Sequence, residues 1–267
     1  MNDMIYVRGN AADFDGWAAA GNNGWDHASM LPAFRAVEAQ LWEDRGAERG
    51  EHRWLAPRTA DFLAATERAG LTRNDDVNGP VQDGVGPHRV TQRRGRRCSA
   101  ADAHLRSVAD RRNLTIVTGA RGTGLVFCGR RVVGVRWVHR GQAEHARAPA
   151  EVVLCGGAVN TPALLMVSGI GDATDLRRLG IEVRADLPGV GRNLQDHLMM
   201  PVCWRSAEPT SLLDGRRPSR IAEYLVRRRG PLTSNIGQAG AFVRSRPGLD
   251  APDLQLVFAP VLLDGIR

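Results

Sequence analysis

The segment from Glu151 to Val167 constrains the fold more than any other part of the chain. Glu151 to Cys155 (EVVLC) is short and nearly all apolar, the pattern of a strand buried on both faces. Gly156-Gly157 breaks it, and Thr161-Pro162 offers an N-cap followed by a proline suited to the first helical position. Strand, glycine turn and helix in that order is the arrangement by which an α/β sheet meets a nucleotide cofactor. The same turn also occurs for packing alone, since glycine permits close approach of backbones.

The flanking sequence adds strands and amphipathic helices. Leu125 to Cys128 and Val132 to Val138, joined by Gly129-Arg130-Arg131, predict a hairpin, and Leu114 to Thr118 is a β-branched run. Met30 to Trp42 has Leu31, Phe34, Val37 and Leu41 at helical spacing, with Pro32 in the first turn. Thr59 to Ala69 predicts a second helix stopped by Gly70. Ser99 and Asp102 form a capping box for a helix through Asp110, and Thr174 to Leu179 predicts another that stops at Gly180. Residues 74–86 and 187–196 are loops by their glycine, asparagine and proline content. Beyond residue 200, Val202 to Trp204, Ala239 to Val243 and Leu254 to Val261 flank a helix around Ile221 to Arg228, which predicts a separate mixed sheet.

Composition excludes several classes. The apolar fraction of 43% with 24% charged residues is that of a globular chain. No apolar run approaches the roughly 20 residues of a membrane span, and Met1 to Asn10 is not a secretory signal, so a cytoplasmic location is expected. The net charge of +7 would suit an anionic partner. All 36 basic residues are arginine, however, which reads as GC-rich codon usage. Arg93, Arg94, Arg96 and Arg97 form one cluster and Arg227 to Arg229 another, far apart in the sequence, so no nucleic-acid partner is expected. Cys98, Cys128, Cys155 and Cys203 make no C-x-x-C pair, and the seven histidines show no metal-ligand spacing, so neither disulfides nor a metal site is expected.

Gly157 to Gly171 reads G-A-V-N-T-P-A-L-L-M-V-S-G-I-G and resembles the second signature of the glucose-methanol-choline (GMC) oxidoreductases, flavoenzymes that oxidise alcohols. Asn2, Met4, Tyr6, Arg8 and Gly9 are similar to the family's early flavin-proximal stretch, N-x-M-x-Y-x-R-G. Asp13 to Trp17, Asn74 to Asp76, Gly84 to Gly86, Gly189 to Gly191, Asn193 to His197, Gly230 to Asn235 and Gly240 to Val243 continue the resemblance over nearly the whole chain.

The resemblance implies an α/β (α+β mixed) fold in which a discontinuous FAD-binding α/β domain packs on a substrate domain with a mixed or antiparallel sheet. On it, 1–9 and 96–198 are a partial FAD-binding domain, 10–95 a lid and connecting region, and 199–267 a partial substrate-binding domain. FAD is the implied cofactor and a small-molecule alcohol the implied substrate, in the manner of choline dehydrogenase. Asn2, Met4 and Ile5 are expected near the isoalloxazine, Gly122 at the adenine, and Gly157 and Ala158 at the strand–helix turn.

In the family a C-terminal histidine takes the hydroxyl proton, because an alkoxide donates hydride more readily than an alcohol. The sequence departs from the family in having no G-x-G-x-x-G and no such histidine, so truncation at both ends is expected and no catalytic residue is assigned. His197 reads as a loop residue. Gly122 stands where the family has valine, and Asp3 replaces a small residue. Three readings stay open: a flavin-dependent alcohol oxidoreductase in incomplete form, a degenerate fragment without independent catalysis, and a basic nucleic-acid-binding module.

Overall fold

The computed structural model describes residues 4–42, 50–204, 206 and 211–261. Its helices are α1 (Ala11–Ala19), α2 (His27–Trp42), α3 (Pro57–Arg68), α4 (Gly157–Val167), α5 (Ala173–Arg178) and α6 (Pro218–Arg227). The strands of the first hundred residues are β1 (Ile5–Tyr6), β2 (Gly84–Pro87), β3 (Arg89–Val90), β4 (Gln92–Arg93) and β5 (Arg96–Arg97). They are followed by β6 (Ala120–Cys128), β7 (Arg131–His139), β8 (Gln142–Arg147), β9 (Ile170–Gly171), β10 (Ala185–Asp186), β11 (Ala239–Val243) and β12 (Leu254–Phe258). The chain forms two compact units, Met1–Arg111 with Pro201–Arg267, and Arg112–Met200.

The first unit is organised by a three-stranded antiparallel sheet in the order β12-β11-β2, with Gly240 opposite both Gly86 and Val257. Side chains alternate along β11, so Ala239 and Ala241 face α3 and form a core with Leu63 and Val85. Phe62 stacks on Phe258 with ring centroids 4.6 Å apart, which ties α3 to β12 as well. Two observations depart from expectation. The sheet recruits β2 from the stretch 74–86 that turn residues marked as loop, and no strand forms at Val202 to Trp204, where Trp204 is 89% exposed. The loop before β2 bonds it directly: Asn74 N donates to Val85 O at 2.9 Å and Val85 N to Thr72 O at 2.9 Å. Gly84 and Gly86 permit that approach, since a Cβ on Gly86 would lie 1.9 Å from the Asn74 carbonyl oxygen.

The second unit contains the antiparallel meander β6-β7-β8 and the parallel pair β9-β10. The predicted hairpin is present, and β8 extends it by a strand that its polar sequence, QAEHAR, did not announce. Helix α5 starts on Asp172, whose carboxylate accepts from Thr174 N at 2.9 Å and Asp175 N at 3.1 Å. Gly180, with φ +70°, follows its last turn as predicted.

Three expectations fail here for one reason, the need of a strand or helix end for partners. Glu151 to Cys155 makes no ladder among the described residues and Val153 is 72% exposed, so the predicted buried strand is an unpaired, solvated segment. Leu114 to Thr118 is likewise not a strand. Helix α4 begins at Gly157, so Pro162 lies inside it and Thr161 is not the cap. The helix forgoes one intrahelical bond there, since Pro162 has no N–H for Ala158 O, and Ala158 is an exposed residue.

In the first unit, α2 likewise begins a turn before the predicted Met30, with Asp26 accepting from Ser29 N at 2.9 Å. The Ser99–Asp102 capping box forms as predicted, but it opens a π turn and a 3-10 turn over 101–108 in place of a regular helix.

Candidate functional site

Of the six positions singled out for a cofactor, Met4 and Ile5 lie in the first unit and Gly122, Gly157 and Ala158 in the second. Asn2 lies outside the described residues.

Met4 has a left-handed backbone, φ +67°, which a methionine adopts only where surroundings hold it. Its carbonyl accepts from Thr91 N at 2.7 Å, and the next two residues form β1, antiparallel to β3. Met4 is buried and Ile5 half-buried. Ile5 reaches the backbone of Gly237, where a Cβ would stand 2.9 Å from its Cδ1. Tyr6 meets Trp42 edge to face at 4.9 Å. Its hydroxyl is pushed up to about 12 by burial and by Glu38, so it stays a neutral phenol at any ordinary pH.

Arg8 grips both oxygens of Glu38, donates from Nη1 to Asn78 O at 2.9 Å and from its backbone to Asn78 Oδ1 at 2.7 Å. The M-x-Y-x-R part of the pattern thus anchors the short strand β1 through residues within and on either side of it. Met4, Tyr6 and Arg8 hold the body, which fixes the register of the residues between them.

Beside β1 lies a buried polar cluster that no motif announced. Gln238 is fully buried: Oε1 accepts from Ala56 N at 2.8 Å and Thr59 Oγ1 at 2.6 Å, and Nε2 donates to Ser234 Oγ at 2.8 Å. His88, 3% exposed, has Nδ1 3.1 Å from Gly237 O and its other ring nitrogen against the Cα side of Gly240. The buried ring of His52 lies against the backbone of His88 and Gln238. Burial pushes His52 down to about 4, with neighbouring His88 adding to the effect, and burial also lowers His88. The one available sequence signal was Gln238 itself, a polar residue heading the apolar run of β11.

The two imidazoles are neutral in the folded chain, while each titrates near 6.5 when unfolded. The unfolded state therefore binds more protons between the two values, and stability is complete above 6.5 and declines as pH falls toward 4. For His52 the loss comes to about 3 kcal/mol. Urea unfolding of the protein and of His52→Phe, compared at both ends of that window, measures it. The variant is expected to lose less stability than the parent on acidification.

In the second unit, Gly122 is exposed at a register shift between β6 and β7, with a Cβ position 3.7 Å from Leu164 of α4. Gly157 has φ +81° with no atom within 4 Å of its Cβ position, and Ala158 is exposed beside it. No side chain caps α4, so the backbone N–H groups of its first turn are open, the geometry that favours an anionic group.

The end of the signature, Ser168-Gly169-Ile170-Gly171, is architectural. Ser168 Oγ accepts from Leu125 N at 3.0 Å and donates to Leu164 O, welding α4 to β6. Gly169, φ +87°, leaves room for Glu182 O, 2.3 Å from where a Cβ would be. An open cleft of about 400 Å³ lined by Phe127, Arg136, Ser168 and Arg184 lies in the same unit and contains none of the predicted positions. His197 sits in an exposed loop, as expected. Among the described residues no cluster could hold a metal ion, and no helix is long and apolar enough to cross a membrane.

Comparison with known proteins agrees with this architecture. A GMC-type oxidoreductase of Mycobacterium tuberculosis is 45% identical over 271 residues, covering 97% of this chain and 51% of that protein. Human mitochondrial choline dehydrogenase is 40% identical over 273 residues, covering 97% and 46%. Among solved structures, pyridoxine 4-oxidase from Mesorbium loti superposes with a TM-score of 0.70 at 31% identity, over 96% of this chain and 48% of that one. The chain thus spans about half the length of the curated relatives it matches. With residues 1–199 matching the GMC oxidoreductase family model on top of these similarities, the chain belongs to the GMC oxidoreductase family.

Proposed function

We propose that this chain supplies the flavin-side part of an FAD-dependent oxidoreductase acting on the CH–OH group of a small-molecule alcohol. FAD, when bound, accepts the hydride from the alcohol carbon. The observation that carries the reading is the left-handed, buried Met4 at the head of the anchored strand β1, since such a backbone persists only where the surroundings hold it. Asn2, Met4 and Ile5 would border the isoalloxazine, and Gly122, Gly157 and Ala158 would take the rest of the cofactor.

The residues present fit that part. The Gly157 and Ala158 turn is unobstructed and its first-turn N–H groups are uncapped, and Gly122 offers a surface without a side chain. Residues 1–9 and 96–198 are assigned to the flavin side and 199–267 to the substrate side on the motif match, with 10–95 connecting them. No catalytic residue is assigned: His52 and His88 are committed to the first unit's interior, and His197 is a loop residue. The isolated thiols fit a cytoplasmic setting.

The test is titration of the purified chain with FAD, followed by anaerobic addition of choline or pyridoxine while the visible flavin band is monitored. Binding in an equimolar ratio with bleaching by an alcohol is the expected result. One observation favours the second reading, a fragment without independent catalysis: the signature's leading segment, 151–155, is unpaired and Val153 is exposed. That reading predicts no binding at all, and binding without bleaching would limit the chain to holding the cofactor.

A further inference from the structure

Helix α2 carries a carboxylate where its pattern asks for an apolar residue. Phe34 and Trp42 turn toward the body of the first unit, Phe34 edge to face on Phe14 at 5.4 Å and Trp42 on Tyr6 at 4.9 Å. Glu38, four residues from each, shares that inward side, whereas its neighbour Val37 is 42% exposed. The acid is there for Arg8. Both of its oxygens accept from the Arg8 guanidinium, and the two side chains are 16% and 15% exposed. The Tyr6 hydroxyl bonds the same carboxylate. Asn78 adds to the clamp: its Nδ2 donates to Tyr6 O at 3.2 Å while its Oδ1 accepts from Arg8 N, so a side-chain amide stands in for a neighbouring strand.

A largely buried ion pair is a poor source of stability. Desolvation of two charges cancels most of their attraction, and apolar residues of similar volume commonly do as well or better. What the pair supplies is geometry. A forked guanidinium meets both oxygens of a carboxylate in one arrangement. The carboxylate is presented by a 16-residue helix whose last turn, Leu41 and Trp42, is packed into a core with Cys98. Four residues before Arg8 stands Met4, whose left-handed backbone has to be held from outside and whose carbonyl accepts from Thr91 N.

We infer that Glu38 is the positioning residue of the flavin-side strand: through Arg8 it fixes where the backbone of Met4 and Ile5 stands, and so how well the chain receives FAD. The inference rests on the reading proposed above, in which Met4 and Ile5 border the isoalloxazine. Glu38 belongs to none of the stretches that resemble the family.

Two variants of the whole chain separate position from stability. Glu38→Leu leaves Arg8 without its carboxylate and is expected to lower the urea midpoint. Tyr6→Phe, Arg8→Met and Glu38→Leu together replace the cluster by apolar side chains of similar volume and are expected to recover most of that loss. FAD affinity is expected not to recover. The triple variant should bind about tenfold more weakly than the parent, as when the seated strand is populated about one-tenth of the time. Its Thr91 amide, which bonds the Met4 carbonyl, should lose protection from hydrogen exchange while the amides of β11 keep theirs. Leu63→Val, a truncation in the core beneath α3, is the control: it should lower the urea midpoint and leave FAD affinity unchanged.

The inference is overturned if the triple variant binds FAD as tightly as the parent, if its Thr91 amide stays protected, or if Leu63→Val weakens FAD by the same factor. It is also overturned if the triple variant is no more stable than Glu38→Leu, since the pair would then hold the fold and not a position. Should the parent take up no FAD, the flavin reading fails by itself. Thr91 exchange in the triple variant then decides whether Glu38 positions the strand.

Discussion

Gly240→Ala is expected to abolish cooperative folding of the unit that contains β11. A Cβ at this position would lie 2.2 Å from the Leu256 carbonyl oxygen and 2.5 Å from His88 Nε2. The first is backbone in the neighbouring strand β12, and the second belongs to a ring held by Gly237 O and buried to 3% exposure. Neither neighbour is the free end of a flexible side chain, so relief requires moving the central strand against two partners. The cost passes the ~3 kcal/mol top of ordinary overpacking, and the denaturant transition followed by tryptophan fluorescence is the measurement. Gly16→Ala in α1 serves as the control: nothing lies within 4 Å of its Cβ position, and alanine there is expected to stabilise by up to about 1 kcal/mol. A cooperative transition in Gly240→Ala at the parent's midpoint would show that the sheet is not packed this way.

Gln238→Leu is expected to cost about 4 kcal/mol although the new side chain is of similar size and apolar. The amide oxygen is the shared acceptor for Ala56 N–H and the Thr59 hydroxyl at the start of α3, and the amide nitrogen donates to Ser234. Leucine leaves two buried donors without an acceptor, each at about 1–3 kcal/mol. Gln238→Leu combined with Thr59→Val removes one of the orphaned donors as well and is expected to cost less than Gln238→Leu alone, a difference that urea unfolding resolves. Equal losses in the two variants would mean that shape, and not hydrogen bonding, holds α3 on the sheet.

Gly240 belongs to a stretch that resembles the family and Gln238 to none, and the difference shows where the sequence was legible. Elements with a local cause could be read directly. The β6–β7 hairpin needs only a turn at Gly129, α5 only Asp172 and Gly180, and the Ser99–Asp102 box only those two residues. The family signature was legible because its constraints lie close in sequence too: Gly169 packs against Glu182 O, and Gly171 against Met166 and Leu176.

Elements whose existence depends on distant partners could not be read. Glu151 to Cys155 has the composition of a buried strand and no ladder, whereas Gly84–Pro87 has the composition of a loop and gains one from β11. Hydrogen-bonding need decides both, and the supply of partners is a tertiary property.

The candidate site divides in the same way. Met4, Ile5, Gly122, Gly157 and Ala158 were named from motif positions alone. The cluster of His52, His88 and Gln238 draws on residues up to 186 positions apart and has no linear signature.

By itself, then, the sequence determined the family, the local turns and caps, and the positions to be tested against a flavin, because each depends on side chains a few residues apart. Tertiary structure alone decided that β2 pairs with β11 and that the β4–β5 hairpin tip at Gly95 rests against the end of α6 at Arg228. The physical reason is that hydrogen bonding and packing act through space: Gly86 and Gly95 leave room for backbone from distant parts of the chain, and no local pattern says which backbone will come.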